Sequence, residues 1–239
     1  MTTRLLAFDT STEVLAVAVR GVSGDRFDLL PGGAQASVGL LPAIRRLLAE
    51  AGITMADLDA IGFGRGPGAF TGLRTSCAVA QGLGFGLDRP LLPIDSLLLV
   101  AEDARAQAAA EASAFEVGVV MDARIDEVYA GRYHWAARRW STVEPPALFT
   151  LPALAQRWAD PPEWVAGSAL AAFGPRLGLP AGQRCVTAER QRGAALLRLA
   201  QATFDDGGAV DAADALPLYL RDKVALTTLE RAALRGAVG

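Results

Sequence analysis

An apolar strand that ends on an aspartate, a tight turn, a Glu-Val pair and a second apolar strand occur twice in this chain. The first copy is Phe8-Asp9-Thr10 followed by Glu13-Val14-Leu15-Ala16; the second is Met121-Asp122-Ala123 followed by Glu127-Val128-Tyr129-Ala130. A hairpin with an acidic tip, repeated in the same order, is a weak internal repeat, and it points to two similar halves where composition alone allows either those or one large α/β domain. The Ala-rich, charged stretch Glu102 to Glu116 separates them. The expected halves are therefore residues 1–103 and 104–239, with the closing segment of the second half able to return to the first.

Around the hairpins the pattern alternates between strand and helix. Leu5 to Phe8, Val14 to Val19 and Phe27 to Leu30 read as a meander. Leu40, Leu41, Ile44, Leu47 and Leu48 recur at helical spacing within Ser37 to Glu50, and Pro42 places the helix start near Gly39 or Leu40, where a first-turn proline loses no bond. Ala60 to Gly64 reads as a buried strand leading into Gly64-Arg65-Gly66-Pro67-Gly68-Ala69-Phe70-Thr71-Gly72-Leu73-Arg74. Thr71 is placed to cap a helix that continues to Gly86, with Leu73, Cys77, Ala80 and Leu83 on one face. Its interior Gly82 and Gly84 each cost about 1 kcal/mol relative to Ala, which points to close approach of another backbone. Further strands are expected at Pro90 to Ile94, Val117 to Met121 and Trp164 to Gly167, a helix at Arg190 to Phe204, and a closing segment at Leu216 to Arg221.

Several chemistries are narrowed by counting. His134 is the only histidine, so mechanisms that need two imidazoles in one subunit are closed, and its alternating aromatic surroundings make it a half-exposed strand residue. Cys77 and Cys185 lack the spacing of a zinc site and are too few for a disulfide framework, which indicates a reducing compartment. Twenty-three basic against 26 acidic residues give a net charge of −3, which disfavours tight direct binding to a phosphate backbone. No apolar run reaches membrane-spanning length, so the expected setting is cytoplasmic, without membrane contact. The glycine-rich segment lacks G-K-[ST] and the G-x-G-x-x-G spacing, which leaves a tight strand-to-helix turn or an anion held by Arg65, Arg74 and the helix N-terminus. Two hairpins with acidic tips match the way actin-like and sugar-kinase-like folds grip the phosphates and Mg²⁺ of ATP. The candidate nucleotide-binding residues are accordingly Asp9, Thr10, Ser11 and Asp122, with a vestigial turn as the alternative.

Leu6-Ala7-Phe8-Asp9-Thr10-Ser11-Thr12-Glu13, the glycine-rich segment through Arg74, Ala80-Gln81-Gly82-Leu83, Asp122-Ala123-Arg124 with Glu127-Val128-Tyr129, and Tyr219-Leu220-Arg221 together resemble the bacterial TsaB (YeaZ) family along the whole chain. The resemblance implies a two-lobed actin-like ATPase (ASKHA, duplicated ribonuclease H-like) fold. It further implies a non-catalytic subunit, with no catalytic or metal-ligating residues and no required cofactor, weak ATP/ADP with Mg²⁺ at a complex interface being the exception allowed. The implied partner is TsaD, which makes threonylcarbamoyladenosine beside the anticodon of tRNAs reading codons that begin with A. TsaE would be met through TsaD, tRNA only indirectly, and a homodimer would form when TsaD is absent. In TsaD two histidines on the first helix help hold the metal, whereas Ser37 to Glu50 holds none; many family members also place a histidine where Gln35 stands. The family's dimerisation surface lies on the first two helices, which implies Leu41, Ile44, Leu48, Leu73, Ala78 and Gly82 as interface residues. An active ATPase or kinase of the same superfamily is the competing reading, and a metallopeptidase the third.

Overall fold

Leu5–Asp9 (β1) is buried at every position, which is what a central strand covered on both faces requires. In the computed structural model, which describes residues 3–221, β1 is the middle of a five-stranded sheet. Val14–Gly21 (β2) and Gly24–Pro31 (β3) continue from it as an antiparallel meander, while Ala60–Gly66 (β4) and Leu91–Asp95 (β5) add in parallel on its other side. The order is β3-β2-β1-β4-β5. The second half builds the same sheet again from Ala114–Asp122 (β6), Glu127–Ala136 (β7), Arg139–Thr150 (β8), Trp164–Ala166 (β9) and Arg184–Val186 (β10). Its order, β10-β9-β6-β7-β8, is the first sheet's order with β6 in the place of β1, and every pairing sense agrees. This duplicated mixed sheet with covering helices is the two-lobed actin-like architecture.

Alternation along β1 and β2 decides what lies on each face. Leu6, Phe8, Leu15, Val17 and Val19 point to Ala36–Glu50 (α1) and Phe70–Leu87 (α2), where Leu40, Ile44, Leu47 and Leu48 meet them. Burial of each such aliphatic side chain contributes about 1.5–3 kcal/mol. Leu5, Ala7, Ala16 and Ala18 point the other way, to Ser96–Ala108 (α3) and Arg192–Asp205 (α6), represented by Leu99, Leu196 and Leu199. α3 also turns Leu97, Val100, Ala101 and Ala104 toward Phe115, Val117, Val119, Met121 and Tyr133 of the second sheet, so it lies between the lobes. The far face of that sheet is covered by Leu151–Arg157 (α4) and Ala169–Phe173 (α5). α6 follows the second sheet in the chain yet packs on β1, β2 and β5 of the first. Residues 222–239 of the expected second half lie outside the described residues.

Two local expectations are corrected, and one strand was not expected. α1 starts at Ala36, so Pro42 is interior; it sits on the exposed face of the helix, away from the core contacts. Thr71 does not cap α2: Ala69 holds that position without a side-chain bond, and Thr71 lies inside the first turn with its carbonyl accepting from Thr75 Oγ1 at 3.0 Å. β8 has no counterpart among the expected strands because Pro145-Pro146 interrupts its pattern, and an edge strand tolerates them.

Candidate functional site

The tip of the first hairpin is closed by the chain itself. Asp9 is fully buried, and its Oδ1 accepts from Ser11 N at 2.7 Å, Ser11 Oγ at 2.6 Å and Arg192 Nη2 at 3.2 Å, while Oδ2 accepts from Ser96 Oγ at 2.6 Å. Burial alone pushes such a carboxyl up, but Arg192 and then the Ser11 and Ser96 hydroxyls outweigh it and hold Asp9 below the usual aspartate range. Arg192 is equally buried, and its second partner is Glu189. Thr10 Oγ1 donates to Gly72 O at 2.6 Å, and Ala69 N donates to Ser11 O at 2.8 Å. A Cβ on Gly64 would overlap the Asp9 carboxylate, one on Gly68 the Ser11 carbonyl, and one on Gly72 the Thr10 carbonyl. The glycine-rich segment is therefore a seat for residues 9–11, and its glycines are required by close backbone approach.

The second hairpin tip faces the first across a cleft of about 520 Å³. Ser11, Thr12, Glu13 and Val14 line one side; Met121, Asp122, Ala123, Arg124 and Tyr129 line the other. Of the four candidate nucleotide-binding residues, Ser11 and Asp122 reach this cleft, whereas Asp9 and Thr10 lie beneath it. Asp122 Oδ1 accepts from Arg124 N at 2.8 Å, and Arg124, Ile125 and Asp126 all adopt positive φ to turn the chain. Arg124 reaches over the cleft to Glu13 at 2.7 Å, an exposed pair worth at most about 1 kcal/mol. Residues 215–221 cross between the lobes as a strap. Ala215 O accepts from Cys77 Sγ and Gln81 Nε2, Leu218 N donates to Arg65 O, and Arg221 donates to Ala123 O and pairs with Glu127. Tyr219 packs 5.3 Å from the Phe70 ring, with Arg74 stacked 3.9 Å over that ring.

A second surface lies on α1 and α2. Ile44 and Leu48 belong to the chain's own core against β1 and β2, and Leu73 is buried beside Gly66 of β4 at the edge of the cleft, which corrects the expected place of all three on an exposed partner surface. Leu41, Ala78 and Gly82 are exposed, and a Cβ on Gly82 would meet open space. Gly84 instead packs against Leu91 and Ala212 of the same chain. Two residues outside the expected set extend the exposed apolar area: Val38 on α1, and Phe85 on α2, which is 64 % exposed and continues the helical spacing of Ala78 and Gly82. His134 is half-buried in β7, as its alternating pattern requires. Among the described residues, no group of three His, Cys, Asp or Glu side chains is arranged to hold a metal ion.

Comparison with known proteins follows the same lines. Residues 33–181 match the family model described as TsaD, tRNA N6-adenosine threonylcarbamoyltransferase. The Escherichia coli tRNA threonylcarbamoyladenosine biosynthesis protein TsaB is 32 % identical over 229 residues, covering 93 % of this chain and 96 % of that one. The chain belongs to the TsaB family. The Haemophilus influenzae TsaB is 44 % identical over 128 residues, about half of each chain. The solved structure of YeaZ from Pseudomonas aeruginosa superposes with a TM-score of 0.80 at 34 % identity, covering 92 % of this chain and all of that one.

Within this TsaB-family chain, Asp9 and its neighbour Ser11 were legible in the sequence, but Arg192 and Ser96, which also engage Asp9, were not. Arg192 and Ser96 come from distant segments, and only the fold brings them under the hairpin. A signal for Phe85 was present, since it stands on the same helical stripe as Ala78 and Gly82.

Proposed function

We propose that this chain is a non-catalytic subunit of the machinery that makes threonylcarbamoyladenosine in tRNA, and that it works by docking TsaD on the exposed face of α1 and α2. The observation that carries the reading is the closed first hairpin. A phosphate grip needs both acidic tips free, and Asp9 already accepts four hydrogen bonds within the chain. Support for docking comes from Leu41, Ala78, Gly82 and Phe85, which give a helix face small enough for close approach with an aromatic edge. The same face would join two copies when TsaD is absent, TsaE would bind through the TsaD complex, and tRNA would be held by the partner in the cytoplasm. Nucleotide, if it binds, would do so weakly with Mg²⁺ near Ser11 and Asp122, where the cleft remains open.

The test is to mix the chain with its cognate TsaD and measure the mass of the species formed, alongside Mg²⁺-dependent ATP hydrolysis by the isolated chain. A stable complex and no turnover are expected. Turnover by the isolated chain that Asp122→Ala abolishes would establish the ATPase or kinase reading instead.

A further inference from the structure

Three carboxylates at α3, Glu102 and Asp103 buried and Asp95 half-buried, each hold a different part of the molecule. Asp95 Oδ1, at the end of β5, accepts from Leu97 N at 2.8 Å and Leu98 N at 3.4 Å and so caps α3, while its Oδ2 accepts from Tyr133 of β7 at 2.8 Å. Tyr133 is fully buried in the second lobe. Glu102 Oε2 accepts from Arg105 at 2.9 Å and from Trp140 Nε1 of β8 at 3.0 Å, and its Oε1 accepts from Arg198 of α6. Asp103 accepts from the backbone N–H groups of Arg190 at 3.2 Å and Gln191 at 2.5 Å, which fixes the entry to α6. All three acids lie on the interlobe helix or at its cap, and two of them, Asp95 and Glu102, bond directly to the second sheet.

We infer that Asp95–Tyr133 and Glu102–Trp140 are latches that lock the two lobes at one angle, so that the cleft between the hairpin tips keeps a single width whatever occupies it. Opening the lobes would pull Tyr133 from Asp95 and Trp140 from Glu102, leaving Asp95 Oδ2, the Tyr133 hydroxyl and the Trp140 Nε1 donor without the partners they have here, a loss that costs more than the bonds themselves contribute. It would also strip Val100 and Ala101 of α3 from Phe115 and Val117. Burial, and then the adjacent Asp95, push the Tyr133 phenol far up, so it keeps its proton and stays the donor. The exposed Glu13–Arg124 pair over the cleft adds little to this; the lock is internal. The lock is a property of the isolated chain, whichever partner it meets.

Spin labels placed by Thr12→Cys and Ala172→Cys, on opposite walls of the cleft, with the exposed Cys185 replaced by serine, report the cleft width. With labelled chains diluted in unlabelled ones, a single narrow distance is expected, unchanged by saturating Mg²⁺-ATP. Tyr133→Phe with Trp140→Phe removes both donors while keeping aromatic packing, and should broaden the distribution or add a second distance in protein that still gives a native circular-dichroism spectrum. If the double variant does not fold, Tyr133→Phe alone should broaden the distribution to a smaller extent. A wild-type distance that is already bimodal or moves with Mg²⁺-ATP overturns the inference, as does a folded variant as narrow as wild type.

Discussion

Gly72 and Gly82 sit in one helix, ten residues apart, and have opposite requirements. A methyl group at Gly72 would enter the Thr10 carbonyl, a backbone atom that cannot yield cheaply, whereas one at Gly82 meets nothing. Gly72→Ala should therefore cost about 3 kcal/mol and lower the melting temperature by roughly 6–12 °C. Gly82→Ala should stabilise the monomer by about 0.5–1 kcal/mol, a rise of roughly 1–4 °C. Melting curves of the two variants check this, and equal effects would show that residues 9–11 are not seated on α2. The Asp9–Arg192 pair gives a prediction in pH. Asp9 is held below its ordinary value of 3.8, so its stabilisation is complete above that pH and is lost as the pH falls through its folded pKa. Asp95 and Asp103 are raised by burial and act with the opposite sign, their protonation favouring the fold. Asp9→Asn should cost about 3–5 kcal/mol at pH 7 by leaving Arg192 short of a partner. The gap between wild type and variant in urea unfolding should narrow at pH 3; a gap independent of pH would contradict the assignment.

Among the elements, α2 has two jobs on two faces. Cys77 and Ala80 fill the space under β1 and β4 and Leu73 packs beside Gly66, while Ala78, Gly82 and Phe85 face outward. Gly82→Leu or a bulky residue at Ala78 should leave the melting temperature of the isolated chain nearly unchanged and weaken TsaD binding by roughly 5- to 150-fold, the effect of 1–3 kcal/mol of overpacking at a close helix contact. Titration calorimetry with TsaD, paired with melting of the free chain, separates the outcomes. A large melting drop with unchanged affinity would remove α2 from the interface. The same helix shows where sequence pattern stops. Periodicity identifies an apolar face, but whether that face meets the chain's own sheet or another protein depends on the sheet, and Ile44, Leu48 and Leu73, placed at an interface by the family resemblance, are buried within the chain. The glycine spacing of residues 64–72 was legible as a tight turn, but its occupant, the Asp9 to Ser11 tip, is set by β1 lying beside β4.

At the scale of the whole molecule, the duplication was legible because each hairpin is local: an aspartate, a turn and a Glu-Val pair follow one another in the chain. The return of α6 to the first sheet and the placing of α3 between the lobes were not, because both rest on contacts between residues far apart in sequence, such as Arg198 with Glu102 and Arg192 with Asp9. The Arg192 contact also sets the two aspartates apart, since Asp9 is buried beneath it while Asp122 lines the cleft. The chain keeps the two-lobed architecture, and the function proposed for it runs through its surface. The most direct measurement is threonylcarbamoyladenosine formation on tRNA by the cognate TsaD mixed with this chain or its variants. The account predicts that Asp122→Ala supports modification at the wild-type level while Gly82→Leu, equally well folded, fails to; loss with Asp122→Ala and full activity with Gly82→Leu would contradict it.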